Sequence, residues 1–193
     1  MSHDVSRRGR PIVFSAPSGA GKTTIIHEMM KQVDGLVFSV SSTTRSQRKG
    51  EVDGVDYDFL THEQFQQAID EGDFIEYENV HGQLYGTRAS RVRPLLEAGT
   101  DVIFDLDVLG ALSLKRLFPD AFLFYIDVLG REVLRERLLA RGREDLDEIE
   151  RRLTRYDMER EKAEQFDRII VNDDLMKAVN ETVAAVNEAL AER

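Results

Sequence analysis

Residues 16–23 have the sequence APSGAGKT, and this stretch decides the fold of the chain. It follows the apolar run at residues 11–15, which indicates a buried strand. It precedes residues 22–33, where apolar side chains recur with the period of a helix. A glycine-rich turn that ends in Gly-Lys-Thr between a strand and a helix is typical of a loop that binds phosphate groups. The sequence therefore predicts a nucleoside triphosphate site at this turn.

Each residue type in the turn has a chemical reason to be there. Glycines let backbone N–H groups converge on phosphate oxygens, and the helix N-terminus adds positive potential. Lys22 offers a point charge to the terminal phosphates, and the Thr23 hydroxyl is a candidate ligand for Mg²⁺. Ala16 stands where the motif usually has its first glycine. The predicted triphosphate ligands are Ser18, Gly19, Ala20, Gly21, Lys22, Thr23 and Thr24.

Beyond the turn, segments typical of strands alternate with segments typical of helices. The predicted strands are residues 11–15, 37–40, 74–80, 101–106, 121–128 and 168–171. The predicted helices are residues 22–33, 61–72, 88–98, 108–117, 131–141, 146–164 and 175–191. This alternation predicts an α/β fold with a mostly parallel central sheet covered by helices on both faces. Residues 37–92 break it, so we expect one domain with a core of residues 1–36 and 93–193 and an insert at the sheet's carboxyl edge.

Composition restricts the function further. The 193 residues include 26 Lys and Arg against 36 Asp and Glu, a net charge of −10, which argues against nucleic acid as a partner. There is no Cys, which excludes disulfides, thiolate metal sites and Cys nucleophiles. No apolar run approaches the ~20 residues of a membrane span, and residues 1–10 contain no apolar signal core. These features predict a soluble protein in the cytoplasm that binds no membrane.

From residue 10 to residue 175 the chain resembles the guanylate kinases, which phosphorylate GMP with ATP. The most specific matches are FSVSSTTRSQRKGEVDGVDYDF at residues 38–59 and EGDFIEYENVHGQLYGT at residues 71–87. Shorter matches are PSGAGKTT, EQF, GTDVIFDLDVLGA, FPDAFLFYI, RLLARG and VNDDL. The resemblance implies a phosphate-loop kinase fold in which the insert at 37–92 is a small α+β unit that binds GMP. It also implies a helical lid at about residues 138–155.

The resemblance also assigns roles to particular residues. The residues that it implies hold the GMP phosphate are Arg45, Arg48, Tyr57 and Tyr85, with Glu51 in the same segment. The residues that it implies contact guanine are Ser41, Glu76, Thr87 and Asp107. The lid arginines that it implies are Arg137, Arg141 and Arg152, which complete a catalytic set with Lys22 and Arg45. Asn172 lies where the family binds adenine, and Asp105 where it has an acidic residue near magnesium, here acting through water.

The resemblance implies the reaction ATP + GMP = ADP + GDP, with Mg²⁺ as cofactor and dGMP as a further phosphoryl acceptor. The chemistry of the residues agrees with this reaction. Guanine presents its N1–H and its 2-amino group as adjacent donors, and an ionised Glu76 only accepts hydrogen bonds. Adenine presents an acceptor at N1 instead, so the same carboxylate disfavours it. The sequence leaves the oligomeric state open.

Three other interpretations of the same sequence were considered. One is a non-enzymatic module of the same fold that binds a phosphorylated partner, which the Gly-Lys-Thr sequence at residues 21–23 argues against. Another is a related kinase for a ribose phosphate, which would have no use for the purine-edge acceptors Ser41, Glu76 and Asp107. A third, a helix-rich scaffold, leaves the spacing of the motifs unexplained.

Overall fold

The computed structural model describes residues 7–80, 82–142 and 145–192. The strands in these ranges are β1 (Pro11–Ser15), β2 (Leu36–Phe38), β3 (Ser42–Thr43), β4 (Asp58–Phe59), β5 (Phe74–Val80), β6 (Gln83–Arg88), β7 (Asp101–Asp105), β8 (Phe122–Asp127) and β9 (Arg168–Val171). The helices are α1 (Lys22–Met30), α2 (His62–Asp70), α3 (Ala89–Glu97), α4 (Val108–Leu117), α5 (Arg131–Arg141), α6 (Leu146–Lys162) and α7 (Leu175–Ala191). A short 3-10 helix, Ala163–Gln165, extends α6.

The central sheet has five strands in the order β2-β7-β1-β8-β9, and every neighbouring pair is parallel. The predicted α/β fold with a parallel sheet is therefore confirmed. Parallel strands of one sheet present their carboxyl ends at a common edge, so the residues that follow β1 and β7 lie side by side. This edge is where the turn at residues 16–23 and the acidic segment at residues 105–107 meet.

Both faces of the sheet are covered, which explains why its strands are apolar throughout. Successive strand residues point to opposite faces, so Ile12 and Phe14 share one buried cluster and Val13 belongs to another. The first cluster includes side chains of α1, α5, α6 and α7, and the second includes side chains of α3 and α4. Ile12, Val13 and Phe14 are each fully buried. The strand that leads into the glycine-rich turn is thus rigidly held.

A second sheet of four strands, in the order β4-β3-β6-β5, lies between β2 and α3 in the chain. β6 pairs antiparallel with both β3 and β5. Its sequence is polar and contains Gly86, which is why the apolar pattern does not reveal it as a strand. β2 pairs with β7 inside the central sheet, so residues 37 and 38 belong to the first sheet.

The helices α5 and α6 meet at a defined break. Gly142 follows α5 in the left-handed conformation, with φ 61° and ψ 26°. Asp145 caps α6 by accepting a hydrogen bond from the backbone N–H of Glu148 at 2.8 Å. The far half of α6 is anchored to the sheet through Asp127, which accepts a hydrogen bond from Tyr156 at 3.2 Å. Across the described ranges, none of the helices combines the length and apolar character that a bilayer crossing requires.

Candidate active site

The glycine-rich turn joins β1 to α1 in a conformation that depends on its glycines. Gly19 and Gly21 have φ angles of 102° and 91°, a region that residues with a side chain rarely adopt. A β-carbon on Gly21 would also lie 2.6 Å from Nδ2 of Asn172. Gly21 is the N-cap of α1, so Lys22 and Thr23 begin the helix and carry their side chains at its positive end.

Two predicted site residues support the turn from beneath. The Asn172 side chain is buried and donates a hydrogen bond from Nδ2 to the carbonyl oxygen of Ala20 at 2.7 Å. Arg137 donates to the carbonyl oxygen of Asn172 at 2.7 Å and lies 3.4 Å from that of Ala20. Resemblance placed Asn172 near adenine and Arg137 among the lid arginines. The structure places both against the backbone of the turn.

A first cavity of about 750 Å³ opens above the turn. Its floor is the turn itself, and one wall is the acidic segment Asp105, Leu106 and Asp107 that follows β7. The ammonium group of Lys22 pairs with the carboxylate of Asp105 and lies 3.3 Å from the carbonyl oxygen of Leu106. The predicted ligands that line this cavity are Ser18, Gly19, Gly21, Lys22, Thr23 and Thr24.

The donor set of this cavity fits magnesium held together with a nucleotide. The exposed hydroxyl of Thr23 and the carboxylate of Asp105 both face it, and oxygen donors suit Mg²⁺. Among the described residues, no three His, Asp or Glu side chains converge as a metal-binding group. Mg²⁺ keeps several waters and is usually bound through one or two protein groups and substrate phosphates. The site therefore suits an ion that arrives with its nucleotide.

The opposite wall of the first cavity comes from α6. Arg152 donates to the hydroxyl of Ser18 and pairs with Glu148 at 3.1 Å, so α6 touches the turn directly. Arg155 and Glu159 line the same wall. Arg141 ends α5, and its side chain lies outside the described part of the chain, as do residues 143 and 144 of the predicted lid.

A second cavity of about 310 Å³ lies between the two sheets. The predicted site residues that line it are Ser41, Tyr57, Glu76, Tyr85, Asp105 and Asp107. Asp105, Leu106 and Asp107 line the first cavity as well, together with Glu78. The two cavities therefore share one wall, the segment that follows β7.

One end of the second cavity is an acceptor-rich pocket. Glu76 accepts a hydrogen bond from the buried hydroxyl of Thr87 at 2.7 Å, and burial raises its pKa above the ordinary 4.5. Asp107 caps α4 by accepting from the backbone N–H of Gly110 at 2.7 Å. A β-carbon on Gly110 would lie 3.1 Å from Oδ1 of Asp107 and 3.4 Å from Oε2 of Glu76. Oxygen atoms of both carboxylates therefore lie beside Gly110.

The other end is lined by Tyr57 and Tyr85, and the predicted residues Arg45 and Arg48 lie beside it rather than in its lining. Arg45 forms a bidentate pair with Glu51, with N–O distances of 3.0 and 2.8 Å, and its guanidinium lies 5.2 Å from the ring centre of Tyr57. This pairing holds the pKa of Glu51 below its usual value. Tyr57 and Tyr85 meet edge to face at 6.2 Å. Glu51 also accepts from the backbone N–H of Arg48, whose side chain is exposed. Glu51 therefore fixes Arg45 rather than presenting its own charge to the cavity.

Sequence reasoning missed Glu78, which lines both cavities, Arg155, which lines the first, and Gly110, which lies beside Glu76 and Asp107. Glu78 follows Glu76 by two positions on β5, so the two side chains share a face of the strand. Arg155 follows Arg152 by three positions on α6, a spacing that places both on one side of the helix. These spacings were visible in the sequence. Gly110 carried no such signal, because its closeness to Glu76 depends on how α4 packs beside β5.

A phosphate-binding turn on a parallel sheet, joined to a second polar cleft, defines a nucleotide-binding protein of the phosphate-loop class. The sequence profile of the guanylate kinase family matches residues 8–192. The chain therefore belongs to the guanylate kinase family.

Individual relatives agree over nearly the whole chain. It is 44% identical to the guanylate kinase of Chlorobium luteolum over 192 residues, which is 99% of this chain and 98% of the relative. It is 42% identical to that of Thermotoga maritima, covering 95% of this chain and 89% of the relative. Among solved structures, the guanylate kinase from Anaplasma phagocytophilum is similar with a TM-score of 0.74 and 26% identity, covering 95% of this chain and 87% of that one.

Proposed function

We propose that the protein transfers the γ-phosphoryl group of ATP to GMP and to dGMP, releasing ADP and the nucleoside diphosphate. The observation that carries the proposal is the wall shared by the two cavities. The phosphate-binding turn opens into the first cavity, the paired carboxylates Glu76 and Asp107 lie in the second, and residues 105–107 border both. Two nucleotides bound in these cavities meet at their phosphates.

The second cavity selects guanine through its acceptors. Glu76 and Asp107 lie together beside Gly110, and both accept hydrogen bonds when ionised. The N1–H and 2-amino groups of guanine supply two adjacent donors to this pair. Thr87 holds one oxygen of Glu76, which fixes the direction in which the other faces. Ser41 lines the same cavity and offers a hydroxyl to the base.

The opposite end of the second cavity suits the phosphate of GMP. Arg45, held by Glu51 and by the ring of Tyr57, offers a fixed guanidinium. The hydroxyls of Tyr57 and Tyr85 donate to phosphate oxygens without adding charge. Arg48, exposed on the loop beside this end, adds a second guanidinium. These groups supply local positive charge in a chain whose net charge is −10.

The chemical step needs positioning and charge neutralisation rather than a general base. A phosphate monoester is largely a dianion at pH 7, because its second pKa is ~6. A GMP phosphate oxygen therefore attacks the γ-phosphorus directly, the bond to the β-γ bridging oxygen breaks, and ADP leaves. Lys22, Arg45 and Arg152 offset the repulsion between the two polyanions.

Magnesium, when bound with ATP, neutralises charge on the β- and γ-phosphates. Thr23 would hold it directly and Asp105 would reach it through water. Lys22 pairs with Asp105 in this structure, so both side chains are already directed to the place where the phosphates arrive. Asn172 and Arg137 keep the turn in shape from beneath.

The segment of residues 138–155 acts as a lid in this proposal. It contains the break at Gly142, and Arg152 reaches the turn at Ser18. Closure over the first cavity excludes water from the transferring phosphoryl group. Arg141 stands at the break and is proposed to reach the phosphates from there. The unit at residues 37–92 is proposed as the part that binds GMP.

A phosphoryl-transfer assay with ATP and a panel of acceptors tests the proposal. We expect equal amounts of ADP and GDP from GMP, and conversion of dGMP. For AMP, UMP and ribose phosphates, kcat/KM should be at least about 100-fold lower, because a site built to bind donor groups rejects analogues that lack them. No transfer to any acceptor would favour a binding module, and preference for a ribose phosphate would favour the sugar kinase interpretation.

A further inference from the structure

One guanidinium connects the lid helix to the guanine end of the second cavity. Arg155, in the middle of α6, donates a hydrogen bond from Nη2 to Oδ2 of Asp107 at 2.9 Å. Its Nε donates to Oε1 of Glu159, one turn further along α6, at 2.7 Å. Glu78 of β5 lines the same two cavities as Asp107 and completes the group. Contacts thus run from β5, through the segment before α4, to α6.

These contacts fix the carboxylate of Asp107 at both oxygens. Oδ1 accepts from the backbone N–H of Gly110 and Oδ2 accepts from Arg155. A carboxylate held at both ends cannot rotate freely about its bond to the β-carbon. Each oxygen has two lone pairs, so one acceptor position per oxygen stays available to a base. The direction in which Asp107 meets that base therefore depends on where α6 lies.

We propose that Arg155 is a positioning residue that couples the lid helix to the acceptor pocket by holding Asp107. The inference rests on the proposed function, because it assigns GMP to that pocket. Arg152 touches the turn and Arg155 holds Asp107 in the same position of α6, so ATP phosphates that bind Arg152 stabilise the position in which Arg155 holds Asp107. ATP then tightens the binding of GMP, and by reciprocity GMP tightens the binding of ATP.

The charges around Arg155 explain why a cation is needed there. Three carboxylates, those of Glu78, Asp107 and Glu159, lie around one guanidinium in the walls of the first cavity. Burial, together with the charge of Asp107, raises the pKa of Glu78 to about 7. Burial also raises the pKa of Glu159, and its contact with Arg155 opposes that shift. Without Arg155 these carboxylates repel one another, and Asp107 loses one of its two fixed positions.

Calorimetric titration of GMP tests the coupling. The affinity for GMP is measured with and without magnesium and a non-hydrolysable ATP analogue, in the wild type and in Arg155→Leu and Arg155→Lys. We expect the analogue to tighten GMP binding by about fivefold or more in the wild type. The factor should fall below about twofold in Arg155→Leu and be partly recovered in Arg155→Lys, which keeps the charge.

Arg131→Leu is the matched control. Arg131 begins α5, ahead of the lid segment, and its exposed side chain pairs with Glu150 of α6 at 3.2 Å without lining either cavity. This variant should keep the wild-type coupling factor. Glu159→Gln removes one support of Arg155 while leaving Asp107 intact, and we expect an intermediate factor. It replaces Arg155→Leu as the test if that variant fails to fold.

The outcomes separate this inference from the proposed function. The inference alone is overturned if the wild type phosphorylates GMP but shows no coupling, or if the coupling factor in Arg155→Leu stays at the wild-type value. Equal losses in GMP and ATP affinity together with a lowered melting temperature in that variant overturn it too, since they indicate a structural role. A wild type that binds no GMP overturns the proposed function and this inference with it.

Discussion

The two cavities differ in what forms their walls. The first is floored by one continuous stretch, residues 16–24, whose shape comes from glycine conformations and from buried support by Asn172. The second is assembled from side chains on five separate segments, at residues 38–41, 56–57, 76–78, 85 and 105–107. These side chains hold one another, as Glu51 holds Arg45. A site formed by the backbone of one turn depends on local sequence. A site formed by side chains from several segments depends on how those segments pack.

Substitutions in one cavity should therefore leave ligand binding in the other nearly unchanged. Residues of the turn should affect the phosphoryl donor and turnover, and residues of the second sheet should affect the acceptor.

Lys22→Met should have the largest effect on turnover. It removes the charge that faces the terminal phosphates, so kcat should fall by about 10²–10³-fold, the usual cost of one electrostatic contact to a transition state. GMP affinity should change less than twofold. Steady-state kinetics and GMP titration measure both quantities. Lys31→Met, at an exposed lysine paired with Glu28, is the control. Full activity in Lys22→Met would contradict the role given to the turn.

Glu76→Gln should weaken the binding of GMP without affecting that of ATP. The substitution replaces one acceptor oxygen by an NH₂ donor, which would face the donor groups of guanine. KM for GMP should therefore rise about 10- to 100-fold, while KM for ATP stays within twofold. The exposed Glu63→Gln is the control. In the wild type, KM for GMP should also rise on acidification at a pH above 4.5, because burial raises the pKa of Glu76. A GMP profile that is flat down to pH 4.5 would be inconsistent with this assignment.

Arg48→Ala should have a smaller effect than Glu76→Gln, because the Arg48 side chain is exposed. Loss of a charged hydrogen bond to the GMP phosphate predicts an increase in KM for GMP of about tenfold. KM for ATP should be nearly unchanged. Lys49→Ala removes a neighbouring exposed charge and should behave as the wild type does. Equal increases for both substrates would count against the placement of Arg48 at the acceptor.

Glu78→Gln should give the smallest effect, on stability. The folded chain holds the Glu78 proton more tightly than the unfolded chain does, with a pKa of about 7 against an ordinary 4.5. The wild type therefore loses stability as the pH rises through this range, and the glutamine variant does not. At pH 8 the variant should melt about 2 °C higher, and at pH 4 the two should melt alike. Thermal melts at both values measure the difference, and a gap that does not change with pH would rule out this titration.

The central sheet and the turn could be predicted because their signals are local. Apolar runs buried on both faces, and a glycine-rich turn between strand and helix, appear directly in the order of residues. The strand β6 could not be predicted from periodicity, because it is polar and contains Gly86. It is stabilised by pairing with β3 and β5, which lie elsewhere in the chain.

Candidate site residues show the same limit. Resemblance named Asn172 and Arg137, yet their contacts with the backbone of the turn depend on how β9 and α5 pack beneath it. Sequence reasoning missed Arg155 and Glu78, because their meeting at Asp107 needs α6, β5 and α4 to come together. A single sequence does not show which distant segments come into contact.

Direct titration of GMP in the absence of ATP tests the central claim, that two separable cavities meet at one wall. The account predicts that Lys22→Met binds GMP as the wild type does, while Glu76→Gln binds it about 10- to 100-fold more weakly. Equal affinities in all three proteins, or an equal loss in both variants, would contradict it.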